Sequence, residues 1–153
     1  MPANRGQSFT ILMAEDDADD RLLASEALAE RRDSNKLVFV EDGCELLEYL
    51  RSEGDYAAHP RSLPGLILLD LNMPRMNGLE ALARIKEDSR LCLIPVVVLT
   101  TSNTETDIVS SYSLGAASFL TKPAAYKDLV SMMSILSDYW TDLVQLPNSG
   151  GQC

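Results

Sequence analysis

Gly65-Leu66-Ile67-Leu68-Leu69-Asp70 is an unbroken apolar run that stops on a carboxylate. A strand with one solvated face alternates apolar and polar residues. A run without alternation belongs to a parallel strand covered on both faces. Phe9-Thr10-Ile11-Leu12-Met13-Ala14 reads the same way and stops on Glu15-Asp16. Lys36 to Val40, Pro95 to Thr100 and Ala117 to Thr121 supply three more strands. Amphipathic stretches alternate with them: Ala18 to Arg31, Cys44 to Arg51, Gly78 to Arg90 and Tyr126 to about Val144. Ser102-Asn103-Thr104-Glu105 matches a capping box that opens a further helix, which Gly115 closes. Ser52 to Pro64, with Gly54, His59 and Pro60, reads as a long loop. Five strand–helix units give an α/β domain, a parallel sheet with helices on both faces and right-handed crossovers.

The chain has 153 residues, enough for one domain, with 46% apolar and 24% charged residues. We expect a tail over residues 1–8, the domain over 9–146, and a disordered polar tail over 147–153. A net charge of −10 with scattered Lys and Arg argues against nucleic acid as a ligand. No run approaches the ~18 apolar residues of a membrane-spanning helix, and no signal core is visible, so a cytoplasmic setting without membrane contact is expected. Cys44, Cys92 and Cys153 lie far apart without a C-x-x-C, which suggests reduced thiols, Cys44 and Cys92 being buried.

In open α/β sheets ligands bind beyond the carboxyl ends of the strands. There the sequence gathers Glu15-Asp16, Asp70, Thr100-Thr101 and Lys122-Pro123. Like-charged carboxylates ~4 Å apart repel by roughly 4 kcal/mol at an effective dielectric of ~20. Such a cluster either holds protons or holds a cation, and Mg²⁺ is the natural oxygen-seeking candidate. Acids for a metal, a further carboxylate, a hydroxyl and a lysine form a phosphoryl-transfer inventory. Asp70 would be the nucleophile, forming an aspartyl phosphate, with Lys122 and Thr100 contacting the phosphoryl oxygens. His59, the only histidine, has no partner in its Pro-flanked loop and is not expected to bind metal or relay phosphate.

These marks, with Asp70-Leu71-Asn72-Met73-Pro74, Asn77-Gly78, Leu99-Thr100 and Phe119 to Lys122-Pro123, resemble the receiver domain of two-component response regulators. The resemblance runs from about Thr10 to Val144. It implies a doubly wound, flavodoxin-like sheet of five parallel strands in the order 2-1-3-4-5. It also implies Asp70 as phosphoacceptor, Asp16 and Asp70 as direct Mg²⁺ ligands and Glu15 acting through water. Asn72 would offer its backbone carbonyl to the metal. Thr100 and Phe119 are the implied switch residues, and Lys122 precedes a proline often cis. The implied activity is Mg²⁺-dependent self-phosphorylation and autodephosphorylation, with a sensor histidine kinase as donor and an unnamed protein downstream.

A narrower similarity, to single-domain receivers paired with phytochromes, rests on Glu15-Asp16-Asp17, the Tyr56-Ala57-Ala58-His59-Pro60-Arg61 loop, Leu99-Thr100-Thr101-Ser102 and the Tyr139-Trp140 ending. It implies a light-sensing kinase and a homodimer. The broad apolar stripe of the last helix points the same way, with Val130, Met133, Tyr139 and Trp140 as interface candidates. Thr101 stands where a small residue is usual and is expected to narrow access to Asp70. Asp17, Asp19 and Asp20 read as a solvated first helical turn. An aspartyl-phosphate phosphatase commonly needs a second acid where Asn72 stands. A phosphorylation-independent interaction module is the remaining alternative, and the intact acid pair, Asp70, Thr100 and Lys122 weigh against it.

Overall fold

The computed structural model of the chain describes residues 9–30, 35–58, 63–147 and 153. The expected tail 1–8, His59 and most of the expected tail 147–153 lie outside those residues. Five strands, β1 (Thr10–Ala14), β2 (Lys36–Val40), β3 (Leu66–Leu69), β4 (Val96–Thr100) and β5 (Ser118–Thr121), alternate with five helices. These are α1 (Ala18–Ala29), α2 (Gly43–Arg51), α3 (Gly78–Glu87), α4 (Glu105–Ser113) and α5 (Tyr126–Asp138). All strand pairs are parallel, in the order β2-β1-β3-β4-β5. This is the flavodoxin-like arrangement.

The unbroken apolar runs are explained by two cores. Alternate residues of one strand face opposite sides, and each side is covered. Leu12, Ala14, Ile67, Leu69, Val96 and Val98 face α2 and α3, where Leu46, Leu50, Leu82 and Ile85 meet them. Ile11, Met13, Leu66, Leu68, Val97 and Leu99 face the other way, onto Ala24, Ala27 and Leu28 of α1 and Met133 and Leu136 of α5.

Four local expectations change. The capping residue of α4 is Thr104, whose side chain accepts from Asp107 N–H at 3.2 Å. The cap therefore lies two residues later, and the Ser102 hydroxyl donates to the Asp107 carboxylate instead. Helix α3 stops at Glu87 because Asp88 is extended and the chain turns, with Cys92 N–H bonding back to the Asp88 carbonyl at 2.9 Å. Within the long loop, Gly54–Tyr56 forms a 3₁₀ turn whose Tyr56 hydroxyl donates to Glu45 at 2.8 Å. Helix α5 gives way after Asp138 to a wide π turn over Tyr139–Leu143, where the Thr141 hydroxyl bonds to the Ser137 carbonyl at 2.6 Å.

Two larger corrections follow. Cys92 and Cys153 are disulfide-bonded with their Cα atoms 6.4 Å apart, while Cys44 is a half-buried free thiol. Separation along the chain hid that contact, which depends on the chain end meeting the α3–β4 turn. Met133, expected at an interface, is buried under the sheet, since it lies on the sheet-facing side of α5. Val130 and Trp140 are half-buried against the same core, and Tyr139 is exposed.

Candidate functional site

The last hydrogen bonds of the sheet ladders fix the site. Asp70 N–H donates to the Ala14 carbonyl at 3.1 Å, Glu15 N–H to Val40 at 2.9 Å, and Lys122 N–H to Thr100 at 2.7 Å. Each of these residues is the first one past its strand, anchored by the final carbonyl of the strand beside it. The side chains consequently emerge at one edge. Gly78 opens α3 directly behind Asp70, where an added Cβ would lie 2.3 Å from the Asp70 carbonyl oxygen. Asn77 caps that helix, accepting from Glu80 N–H at 2.9 Å.

Asp70 is buried. One carboxylate oxygen, Oδ1, accepts from the Thr100 hydroxyl at 2.8 Å and from Asn72 N–H at 3.3 Å. The other, Oδ2, accepts from Lys122 Nζ at 3.1 Å. Lys122 also donates to Glu15 Oε2 at 2.8 Å and to Asp20 Oδ2 at 2.9 Å. Burial, reinforced by the neighbouring Asp70 carboxylate, pushes Glu15 up to about 8 against the pull of Lys122. Burial works against charge on Asp70 too, but the Glu15 carboxyl, Lys122 and Thr100 overcome it and hold Asp70 below its ordinary value. Burial is likewise outweighed at Lys122, whose pKa is raised by Glu15, Asp20 and Asp70. Charge is thus favoured on Asp70 and Lys122 and disfavoured on Glu15. The Asp70 carboxylate is favoured as the anion, and its buried neighbour as the acid.

Glu15, Asp16 and Asp70 offer carboxylate oxygens within 4.8 Å of one another. Hard oxygen donors at this spacing suit a divalent cation. Asp16 is exposed and so open to one. With Asn72, Thr101, Lys122 and residues 17–20, these side chains line an open cleft of about 590 Å³. Thr100 is fully buried at its back, while Thr101 is exposed at its rim. Phe119 lies outside the cleft, half-buried on the α2–α3 core, and its N–H donates to the Tyr112 hydroxyl of α4 at 3.2 Å. The Lys122–Pro123 peptide is trans rather than cis, the form an X–Pro bond favours by about 0.5–1 kcal/mol.

The sequence reading missed Asp20. It dismissed three acids of the α1 start together, and the structure separates them. Asp17 is the cap, accepting from Asp19 N–H at 2.8 Å and Asp20 N–H at 3.2 Å. Asp19 is exposed at the cleft margin, and Asp20 reaches Lys122. A usable signal existed: Cα–Cβ bonds tilt toward a helix N-terminus, so the third helical residue leans back over the strand ends.

The same architecture recurs among known proteins. A family model described as the response regulator receiver domain matches residues 11–134. Response regulator Rcp1 of Synechocystis sp. is 42% identical over 137 residues, 90% of this chain and 92% of that protein. The crystal structure of the phosphorylated cyanobacterial phytochrome response regulator RcpA superposes with a TM-score of 0.86 at 42% identity, covering 93% of this chain and all of that one. The Mn²⁺-bound form of Rcp1 gives 0.82 at 41% identity, over 91% of this chain and 99% of that one. With the sheet order, the strand-end acids and a match spanning most of its length, the chain belongs to the response regulator receiver family.

Proposed function

We propose that Asp70 accepts a phosphoryl group from a sensor histidine kinase, and that the phosphorylated protein signals by binding another protein or by passing the group on. The observation that carries this reading is Asp70 itself. It is a buried carboxylate kept ionised between the Thr100 hydroxyl and the Lys122 ammonium, at the floor of an acidic cleft. An Asp70 oxygen attacks the phosphorus of a phosphohistidine. The new P–O bond forms as the P–N bond breaks, and the imidazole, protonated on its other nitrogen, leaves neutral with the electron pair. Lys122 and Thr100 donate to the phosphoryl oxygens. Asp16, Asp70 and the Asn72 carbonyl would hold Mg²⁺, with Glu15 acting through water. The ion supplies neutralisation of charge on the transferring oxygens. Attack of water on phosphorus later returns free Asp70 and inorganic phosphate.

Once Asp70 is phosphorylated, the Thr100 hydroxyl is drawn to the phosphoryl group and Phe119 turns inward behind it. The face formed by α4 and β5 changes as a result. A phytochrome-type kinase is the favoured donor, because RcpA is a phytochrome response regulator. A homodimer through the end of α5 is the favoured assembly. Ile135 and Leu143 are 67% and 73% exposed there, beside Tyr139, with Val130 and Trp140 at the margin of the patch. Light scattering at micromolar concentration is expected to give twice the chain mass, and a monomer with or without phosphate would reject the dimer.

Intact mass spectrometry after incubation with Mg²⁺ and acetyl phosphate tests the central reading. One phosphoryl adduct is expected, dependent on Mg²⁺ and absent from Asp70→Asn. An adduct that persists in Asp70→Asn moves the acceptor elsewhere.

A further inference from the structure

Lys122 has three N–H donors, and all three meet carboxylates: Glu15 at 2.8 Å, Asp20 at 2.9 Å and Asp70 at 3.1 Å. Two of those carboxylates belong to the acid set whose oxygens lie close enough to share a cation, and Asp20 does not. A cation and Lys122 are therefore rivals for Glu15 and Asp70, and the phosphoryl group covers Asp70 as well. Asp20 is the one partner of the three left to the ammonium throughout. Its backbone N–H is tied to the Asp17 cap, and its carboxylate is half-buried. It thus sits at a fixed place on the first turn of α1, close enough to take the ammonium without entering the cation set.

We propose that Asp20 is a positioning residue for Lys122. It receives the ammonium when a divalent cation claims Glu15 and Asp70, and holds it at the cleft for the phosphoryl oxygens. Without Asp20, the lysine has no other anionic partner among its observed contacts and stays on the carboxylates that the cation needs. Cation binding then has to break those ion pairs with nothing to replace them. Asp19, one residue earlier on the cleft margin, carries the same charge but is not among the ion-pair partners of Lys122, so it reports the general field.

The inference rests on the reading of this cleft as a cation site, and titration calorimetry with MgCl₂ on the unphosphorylated protein separates the two. Asp20→Asn is expected to weaken Mg²⁺ binding about tenfold, an interaction within the range of contacting pairs, while Asp19→Asn weakens it less than about threefold. In a Lys122→Met background, Asp20→Asn and Asp19→Asn are expected to have equal effects, since nothing remains to be positioned. Equal effects in the native background, or an undiminished Asp20 effect without Lys122, would overturn the role of Asp20 and leave the cation site standing. A native protein that takes up no Mg²⁺ at all would overturn both. Lys122→Met keeps the aliphatic stem. Should it still unfold, the native-background pair of variants decides the matter.

Discussion

Two clusters of the same chemistry lie at the same edge of the sheet, and they are balanced in opposite ways. At the start of α2, Asp42 is buried, caps the helix by accepting from Glu45 N–H at 2.8 Å, and receives Arg75 at 2.7 and 3.0 Å through two nitrogens. Burial there works against charge, but Arg75 and the Glu45 N–H overcome it and hold Asp42 below its ordinary value. One acid meets one guanidinium, and every oxygen is used. Across the β3–α3 loop, Glu15, Asp20 and Asp70 share a single ammonium, with Asp16 beside them in the cleft. The first cluster is complete as it stands. The second has an excess of negative charge that only protons or a cation can relieve. Arg75 adopts a left-handed φ of 61° to make its fork, and Gly43 N–H bonds to the Met76 carbonyl at 3.0 Å. The balanced cluster thus pins the loop that carries Asn72 into the unbalanced one. One pair is spent on rigidity so that the other can stay poised for a ligand.

The sharpest break of this contrast is to remove the central acid from each. Asp42→Ala loses a helix cap and a charge-assisted fork and is expected to destabilise the protein by about 2–3 kcal/mol. Asp70→Asn weakens the contacts to Lys122 and Thr100 but relieves the repulsion that raises Glu15, and is expected to change the stability of the cation-free protein by less than about 1 kcal/mol. Urea melts without added metal decide it. A loss of stability in Asp70→Asn comparable with that of Asp42→Ala would mean that the two clusters do not differ in the way described.

A second break uses pH. Glu15 is raised from an ordinary value near 4.5 to about 8 by burial and Asp70. The folded chain therefore holds this proton more tightly than the unfolded chain does, and its stabilising contribution declines as pH rises from about 4.5 through about 8. A cation replaces the proton. The rise in Tm on adding Mg²⁺ is thus expected to be small at pH 6 and several degrees larger at pH 9, as read by thermal melts. An Mg²⁺ effect that shrinks across this range would contradict the shift assigned to Glu15. The Asp42–Arg75 pair, with no raised acid, is expected to contribute nothing to that slope.

The same contrast explains what the sequence could and could not disclose. Strand ends are legible, because an apolar run stopping on Asp70 or Glu15 marks both the end of burial and the edge where ligands bind. Thr100 closes β4 and Lys122 follows β5 at that same edge, but the family resemblance is what singles them out. Asp20 was not legible as a functional group, because an acid in a first helical turn usually serves the helix dipole, and only tertiary packing brings Lys122 to it. Asp42 and Arg75 were missed for a similar reason: 33 residues separate them, and neither sits in a periodic pattern. Met133 was read as surface because an apolar stripe around α5 does not say which part the sheet covers. The Cys92–Cys153 bond has no local signal at all. What remains hidden in the sequence is pairing between elements; what shows is the periodicity within them.

The smallest expected effect concerns the rim of the unbalanced cluster. Thr101 is exposed beside the buried Thr100 and lines the cleft without a hydrogen bond to Asp70, so its contribution is bulk rather than charge. A donor or a water would reach phosphorus through the cleft that Thr101 lines, and its methyl and hydroxyl would restrict the approach. Thr101→Ala is expected to speed both phosphorylation by acetyl phosphate and loss of the aspartyl phosphate by about threefold, roughly 0.6 kcal/mol in each barrier. The direction is informative because the two steps move together. A steric rim obstructs both attacks, whereas a group that stabilised the phosphorylated state would slow decay without slowing formation. Rates measured by phosphate release and by mass spectrometry distinguish the cases. Unchanged rates would leave Thr101 as an ordinary strand-end hydroxyl and place the control of access entirely with the acids.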